Sequence, residues 1–338
     1  MSQYIQKTGM KKIAFVVDGS EEAGSGHYRR CLLLAEALIK KNFKIFFVED
    51  FLSENVKLTI KIKKLLFISK QNLLLNLRDY KYIIIDHYNT SVSLERKLNQ
   101  QYNKVIIIDD LANRKHSCDI IINPTYGAKN RDYKDFLDKK TTFLMGPKYS
   151  FLNDCFKDVR KKKIKNNLSE VKKVHLFFGS NDASYFILKI LKEILIKYID
   201  LEFNLVITKK YLRKNKLKNL EKKFTNFYLY EDVINMAKSM QHCDVAIGAP
   251  GITLAERGVL GIPSLYCAIN KNQIKILKRL QANGIIDYIG FIEKVSVDEF
   301  LSSLDIFLSN KKRLTKMSKK SFKIFSDNGL RNIIEYIT

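Results

Sequence analysis

The apolar positions of this chain fall into short aliphatic blocks separated by stretches of helical period. KKIAFVVDGS (11–20) reads as a buried strand ending in a glycine turn. From Gly26 onward, Cys31, Leu34, Ala35 and Leu38 recur at the spacing of one helix face. FKIFFVED is the next strand. YKYIIIDHYN and NKVIIIDD follow, each an aliphatic block that stops at a carboxylate, and CDIIINPTYGA continues the series. The pattern restarts at KKVHLFFGSND, and the helix behind it carries Phe186, Ile187, Ile190, Leu191, Ile194 and Leu195 on one stripe. EFNLVIT, FTNFYLY, CDVAIGAPG and IPSLYCA are the strands of this second half.

Continuous aliphatic strands alternating with helices predict parallel sheets covered on both faces. The expected fold class is therefore α/β, with two doubly wound Rossmann-like domains facing a cleft. The pattern places an N-terminal α/β domain over 1–157, a basic linker over 158–172 and a C-terminal α/β domain over 173–338. The lysine-rich terminal helices, 311–338, are free in this reading to close over either half.

Composition narrows the picture. At 338 residues, 46% of them hydrophobic, the chain is long enough for two globular cores. No apolar run approaches the ~18 residues of a membrane span, and MSQYIQKTGMKK has no hydrophobic signal core, so a cytoplasmic location is expected. Cysteines 31, 118, 155, 243 and 267 form no C-x-x-C pair and read as free thiols, without a zinc site. The net charge of +25 by itself points to polyanions. Its lysines, however, are spread along a chain equally crowded with Ile and Asn, and the densest run, RKKKIKNN (160–167), falls in the expected linker. Nucleic acid is therefore not the expected partner. A positive field that gathers phosphorylated metabolites is.

In open parallel sheets ligands bind beyond the carboxyl ends of the strands. His27, Asp86, His87, Tyr88, Asp109, Asp110, Gly179 and Gly251 all fall there. In GSGHYRR, Gly24 and Gly26 permit close backbone approach and the following helix offers N–H groups to an anion. His27 sits at the positive end of that helix dipole, which keeps an imidazole able to accept a proton near neutral pH. It also lies four residues before Cys31, on the apolar stripe, where a core histidine would stand. In GAPGITLAERGVLGIP (248–263) the N–H groups of Ile252 and Thr253, beyond Gly251, are placed to hold a diphosphate, with Glu256 accepting from ribose hydroxyls. Thr253-x-x-Glu256 is equally a capping box that needs no ligand. GSND (179–182) is a second glycine turn, with Asn181 and Asp182 as helix caps, and Asp86 and Tyr88 offer a supporting acid and hydroxyl. Neither a metal-ligand pattern nor a P-loop occurs, so no cofactor is expected.

Taken in order, GSGHYRRCLLLAEAL, IIIDHYN, DDLANRKHSCDIIIN, GPKYSFL, FFGSNDAS, GITLAERGVLGIP and NKNQ resemble the PseG/SpsG-type family over most of residues 12–275. The tail SDNGLRNI resembles longer members. The resemblance implies a GT-B-like fold and hydrolysis of UDP-2,4-diacetamido-2,4,6-trideoxy-β-L-altropyranose in pseudaminic acid biosynthesis. It implies that His27 is the general base, that Tyr88 is the active-site tyrosine, and that Asn272, with Gln273 beside it, lines the substrate. Gly251–Thr253 and Glu256 would take the uridine diphosphate. Water held by His27 would attack the anomeric carbon with inversion and without a metal. The chain departs from the family pattern at Ser180 and Asn181, where glycine and threonine are usual, and at Asn153 and Asp154, where arginine and glutamate are frequent. Both departures bear on the sugar. Two alternatives remain: a GT-B glycosyltransferase using a UDP-sugar donor, and a non-catalytic basic nucleotide- or RNA-binding protein, which leaves His27 without a role.

Overall fold

The aliphatic blocks become the inner strands of two parallel sheets. The computed structural model describes residues 10–20, 26–100, 103–138, 140–163, 170–179, 184–209 and 211–338. It divides into two compact units, one running to Phe151 and including Leu330–Thr338, the other comprising Leu152–Gly329.

The first unit holds strands β1 (Lys12–Val17), β2 (Lys44–Val48), β3 (Leu66–Ile68), β4 (Tyr80–Asp86), β5 (Lys104–Ile108), β6 (Ile120–Asn123) and β7 (Thr142–Met145). Their order is β3-β2-β1-β4-β5-β6-β7, and every pairing is parallel. Helices α1 (Gly26–Ile39), α2 (Glu54–Ile62), α3 (Lys70–Leu75) and α4 (Val92–Leu98) are the long crossovers that parallel neighbours require. Cys31, Leu34, Ala35 and Leu38 are all fully buried, so the stripe read from the sequence is the face α1 lays on the sheet. Strand order reverses between β1 and β4, which makes the carboxyl ends of these two strands the switch point where such folds bind ligands.

In the second unit, β8 (Lys173–Phe177), β9 (Glu202–Ile207), β10 (Phe227–Glu231), β11 (Val245–Gly248), β12 (Ser264–Ala268) and β13 (Asp287–Phe291) form a parallel sheet ordered β10-β9-β8-β11-β12-β13. Its switch point lies between β8 and β11. The helices are α5 (Cys155–Lys163), α6 (Ser184–Lys197), α7 (Lys214–Lys223), α8 (Met236–Met240), α9 (Ile252–Val259), α10 (Lys271–Ala282), α11 (Val297–Ser309) and α12 (Lys311–Ile324), and α13 (Gly329–Ile334) follows. Ile187, Ile190, Leu191, Ile194 and Leu195 of α6 join Val174, Leu176, Phe203 and Phe300 in one core.

Two boundaries differ from the sequence reading. The division falls after Phe151, and residues 158–163 are not linker but the end of α5, anchored by buried Phe156 and Val159. The basic run is put to use there: Arg160 donates to the carbonyls of Val259, Phe322 and Phe325, and the Lys163 ammonium to that of Cys243. Residues 164–167 of the run lie outside the described residues. The terminal helices also part company. While α12 packs on α9, residues 330–338 belong to the first unit, where Ile333, Ile334 and Ile337 complete the core around α1. Among the described residues no helix is long and apolar enough to cross a membrane.

Because Ile333 is fully buried in that core, Ile333→Ala is expected to cost about 2–5 kcal/mol in urea unfolding. A loss within about 0.5 kcal/mol, the range of surface positions, would show that the C-terminal segment is not part of the core.

Candidate active site

At the first switch point the ends of β1 and β4 are tied by the Asp18 N–H, which donates to the Asp86 carbonyl at 2.9 Å. Helix α1 opens at Gly26, so His27 stands in its first turn. The imidazole is buried, but not in an apolar socket. Its Nδ1 lies 2.6 Å from Asp86 Oδ1, and its ring meets the Tyr88 ring edge-on at 4.5 Å. Arg30, one turn further along α1, donates from Nε to Asp86 Oδ2 at 2.5 Å and from Nη2 to Asp86 Oδ1 at 2.6 Å. Its remaining arm reaches Asp110 Oδ2 at 3.0 Å, and the Tyr88 hydroxyl donates to Asp110 Oδ1 at 2.8 Å.

Electrostatics decide where the proton on His27 sits. Burial alone would raise the Asp86 carboxyl, but the Arg30 charge and hydrogen bonds, joined by His27, outweigh it and hold the group well below the usual carboxylate range. An ionised carboxylate offers only acceptors. A 2.6 Å contact to it therefore requires a proton on Nδ1, which leaves Nε2 as the nitrogen that can take one. Burial, and then the Asp110 carboxylate, push the Tyr88 hydroxyl far up, so it remains a donor.

Asp86 itself is fully buried and spends both oxygens on His27 and Arg30, with the Cys31 thiol donating to Oδ2 at 3.4 Å. The sequence offers it as a supporting acid, counted among the substrate-binding residues. The structure makes it the residue that orients His27. Asp109 is likewise internal: its carboxylate accepts the N–H groups of Leu111 and Ala112 and the Tyr133 hydroxyl. Behind it, His116 lies between Glu95 (3.3 Å) and Asp109 (3.6 Å), and Arg114 bridges Glu95 to the His87 carbonyl. These carboxylates, against the opposing effect of burial, raise the His116 pKa. His87 accepts from the Asn89 N–H and packs edge-on against Phe51.

At the second switch point Gly179 turns with φ +91° just past β8. Gly248 ends β11 with φ +153°, and a Cβ there would lie 1.8 Å from the Phe177 carbonyl oxygen, so no other residue fits. Gly251 precedes α9 with φ +150°. The capping box that rivals the ligand reading of Thr253 and Glu256 is not formed. Thr253 lies inside the helix and its hydroxyl donates back to the Ala249 carbonyl, and the N-terminus of α9 has no side-chain cap. Its first N–H groups, at Ile252 and Thr253, are thus not taken up by a cap. Glu256 is half-buried in the second turn. Gln273 accepts from the Ile269 and Asn270 N–H groups and donates to the Pro250 carbonyl at 3.4 Å, which fastens the start of α10 to the glycine turn. It acts on the turn from behind, and Asn272 beside it is exposed. Gly24, Ser180, Asn181 and Asp182 lie outside the described residues.

The structure thus brings His27, Asp86 and Tyr88 together in one unit, and Gly179, Gly251, Ile252, Thr253 and Gln273 around the switch point of the other. Sequence reasoning missed Arg30 and the pairing role of Asp110. The spacing from His27 to Arg30, three residues along one helix face, was the available signal. Among the described residues no three His, Cys, Asp or Glu side chains are arranged to hold a metal ion.

Two Rossmann-like α/β units, each with a strand-order switch point, define the class, and solved structures agree: the fold is GT-B-like. The chain is similar to MurG of Acinetobacter baumannii (TM-score 0.65, 12% identity, covering 97% of this chain and 99% of that one). It is also similar to the UDP-GlcNAc 2-epimerase of Neisseria meningitidis solved with UDP-GlcNAc (TM-score 0.63, 12% identity, 97% and 99%). In sequence it is 32% identical over 277 residues to an uncharacterized protein of Methanocaldococcus jannaschii, covering 78% of this chain but 56% of that protein, so it spans little more than half of it. It is 25% identical over 236 residues to the UDP-2,4-diacetamido-2,4,6-trideoxy-beta-L-altropyranose hydrolase of Campylobacter jejuni, covering 70% of this chain and 84% of the hydrolase. Against the spore coat polysaccharide biosynthesis protein SpsG of Bacillus subtilis it is 23% identical over 315 residues (88% and 89%). The chain is a distant homologue of these last two. No protein-family model matches it.

Removing the Asp86 charge leaves Arg30 buried and unpaired, so Asp86→Asn is expected to lower stability by about 3–5 kcal/mol at pH 7. The folded-state pKa of Asp86 is depressed, so the advantage of the wild type is complete above the unfolded carboxylate pKa of about 4 and shrinks as pH falls below it. Urea unfolding of both proteins at pH 7 and pH 3 checks this. A gap that stays constant or widens in acid contradicts it.

Proposed function

We propose that this chain is an enzyme acting on a UDP-sugar, in which His27 is the base for a hydroxyl attacking the anomeric carbon. The observation that carries the reading is the 2.6 Å contact from His27 Nδ1 to an ionised, arginine-clamped Asp86. With Nδ1–H donating to Asp86, Nε2 takes the proton from the incoming hydroxyl. The oxygen bonds to C1, the C1–O bond breaks, UDP leaves with the electron pair, and the configuration inverts. The imidazolium formed is stabilised by the carboxylate already beside it. Tyr88, held protonated on Asp110, offers a hydroxyl oxygen next to the ring. The N–H groups at the start of α9 receive the diphosphate charge, which stabilises the departing group, with Glu256 on the ribose.

The identity of the nucleophile separates two readings. A sugar hydroxyl makes the enzyme a glycosyltransferase, and this reading has the wider support, since the structural neighbours include MurG and the glycotransferase of kitacinnamycin. Water makes it a hydrolase of a UDP-linked 2,4-diacetamido-2,4,6-trideoxyhexose, as in pseudaminic acid biosynthesis. The likeness to the Campylobacter hydrolase and the ordered motifs support that one.

NMR of the purified protein with UDP-GlcNAc and UDP-linked diacetamido sugars tests both readings. UDP and free sugar appearing without an acceptor indicate hydrolysis, whereas UDP release only on adding a sugar acceptor indicates transfer. In either case His27→Asn is expected to slow turnover about 10²–10⁴-fold, the contribution of a positioned base, while the UDP-sugar still binds. An unchanged kcat removes His27 from the mechanism.

A further inference from the structure

Arg257, in the last turn of α9, is fully buried. Helical side chains lean toward the N-terminus, and this one runs back beneath the glycine turn. Its Nη2 donates to the Phe177 carbonyl at 3.2 Å and to the Ile247 carbonyl at 3.1 Å, and it lies 3.1 Å from where a Cβ on Gly248 would stand. It thus joins the ends of β8 and β11, the two strands that flank the switch point. Its Nε and Nη1 have no hydrogen-bond partner, and no carboxylate pairs with it among the described residues.

The groups it touches are neutral, and the carboxylate of the preceding residue, Glu256, acts on Tyr266 beside it. The guanidinium lies 5.3 Å from the centre of the Tyr266 ring, a fully buried phenol whose pKa burial raises. His175, fully buried and paired in the sheet beside β11, is held well below its ordinary pKa by burial first and by the Arg257 charge second, so it adds no further positive charge. A buried guanidinium without an anion is costly, and two carbonyls offset only part of that cost.

Taking the α9 turn as the diphosphate site, we propose that Arg257 is its positioning residue. It fixes the spacing of the two strand ends that carry the turn and places an unneutralised positive charge below it. The counter-charge is the diphosphate group of the ligand, a nucleoside diphosphate or its sugar ester. The group never touches the ligand and acts through the backbone between them.

A purely structural arginine and a charge waiting for its anion predict opposite effects on the ligand-free protein. Urea unfolding without ligand, and calorimetric Kd values for UDP and for inorganic pyrophosphate, are to be measured on wild type, Arg257→Met and Arg257→Lys. The Met variant is expected to unfold at the wild-type urea concentration or above, yet to bind both ligands roughly tenfold more weakly or worse, a difference of about 1.4 kcal/mol or more. The Lys variant, which keeps the charge and loses the fork, falls between. A lowered midpoint for the Met variant with unchanged affinity in what remains folded overturns the proposal. So do equal Kd values in all three proteins, and so does a wild type that binds neither ligand. Arg257-dependent binding of pyrophosphate without binding of UDP upholds the anion site and instead removes uridine from the function proposed above.

Discussion

The first unit depends on one carboxylate. Asp86 closes β4, has no exposed surface, and is held by two arms of Arg30. Left alone, an aspartate in that position would take up a proton to escape the cost of burial. With the guanidinium across it, it stays ionised, and an ionised Asp86 can engage His27 only through a proton on Nδ1. The tautomer of His27 is therefore set by the strand end and by a residue one turn along the same helix. Arg30 also holds Asp110, which positions Tyr88, so one guanidinium orders both side chains that flank the imidazole.

The second unit solves a different problem with backbone. Gly248 lets β11 pass so close to β8 that no side chain fits between, and the uncapped start of α9 follows directly. Thr253 gives its hydroxyl to the preceding turn, while Gln273 braces that turn from α10. Each unit thus places its polar chemistry where its strand order reverses, the one place in a doubly wound sheet where adjacent crossovers leave in opposite directions and open a crevice. The function proposed above assigns proton transfer to the first of these places and anion binding to the second.

The sequence announces every inner strand but only one of the four edge strands, β10, read as FTNFYLY. The strands read in advance, such as KKIAFVV, YKYIIID and CDVAIGA, are mostly buried on both faces and so are continuously apolar. The three that passed unnoticed, β3, β7 and β13, are all edge strands, only three to five residues long and largely half-exposed. Their pattern carries no period because one side has no sheet to meet. The lysine run at 160–163 read as a linker because composition cannot distinguish solvated charge from charge that caps carbonyls, as Arg160 and Lys163 do. His27 was legible from its place after a glycine hinge. Asp86 was legible as a strand-end acid but not as a partner of His27, since residues 59 positions apart along the chain meet only through the β1–β4 pairing. The Thr253-x-x-Glu256 pattern spelled a cap that the backbone at Gly251 does not use.

Asp86 fixes the proton of His27 on Nδ1 and leaves Nε2 to accept another. Nitrogen-15 NMR of histidine-labelled protein near neutral pH reads this directly. His27 is expected to show a protonated Nδ1 and an unprotonated Nε2, and this preference is expected to disappear in Asp86→Asn. A His27 ring that is Nε2-protonated in the wild type, or whose tautomer is the same with and without the Asp86 charge, contradicts it.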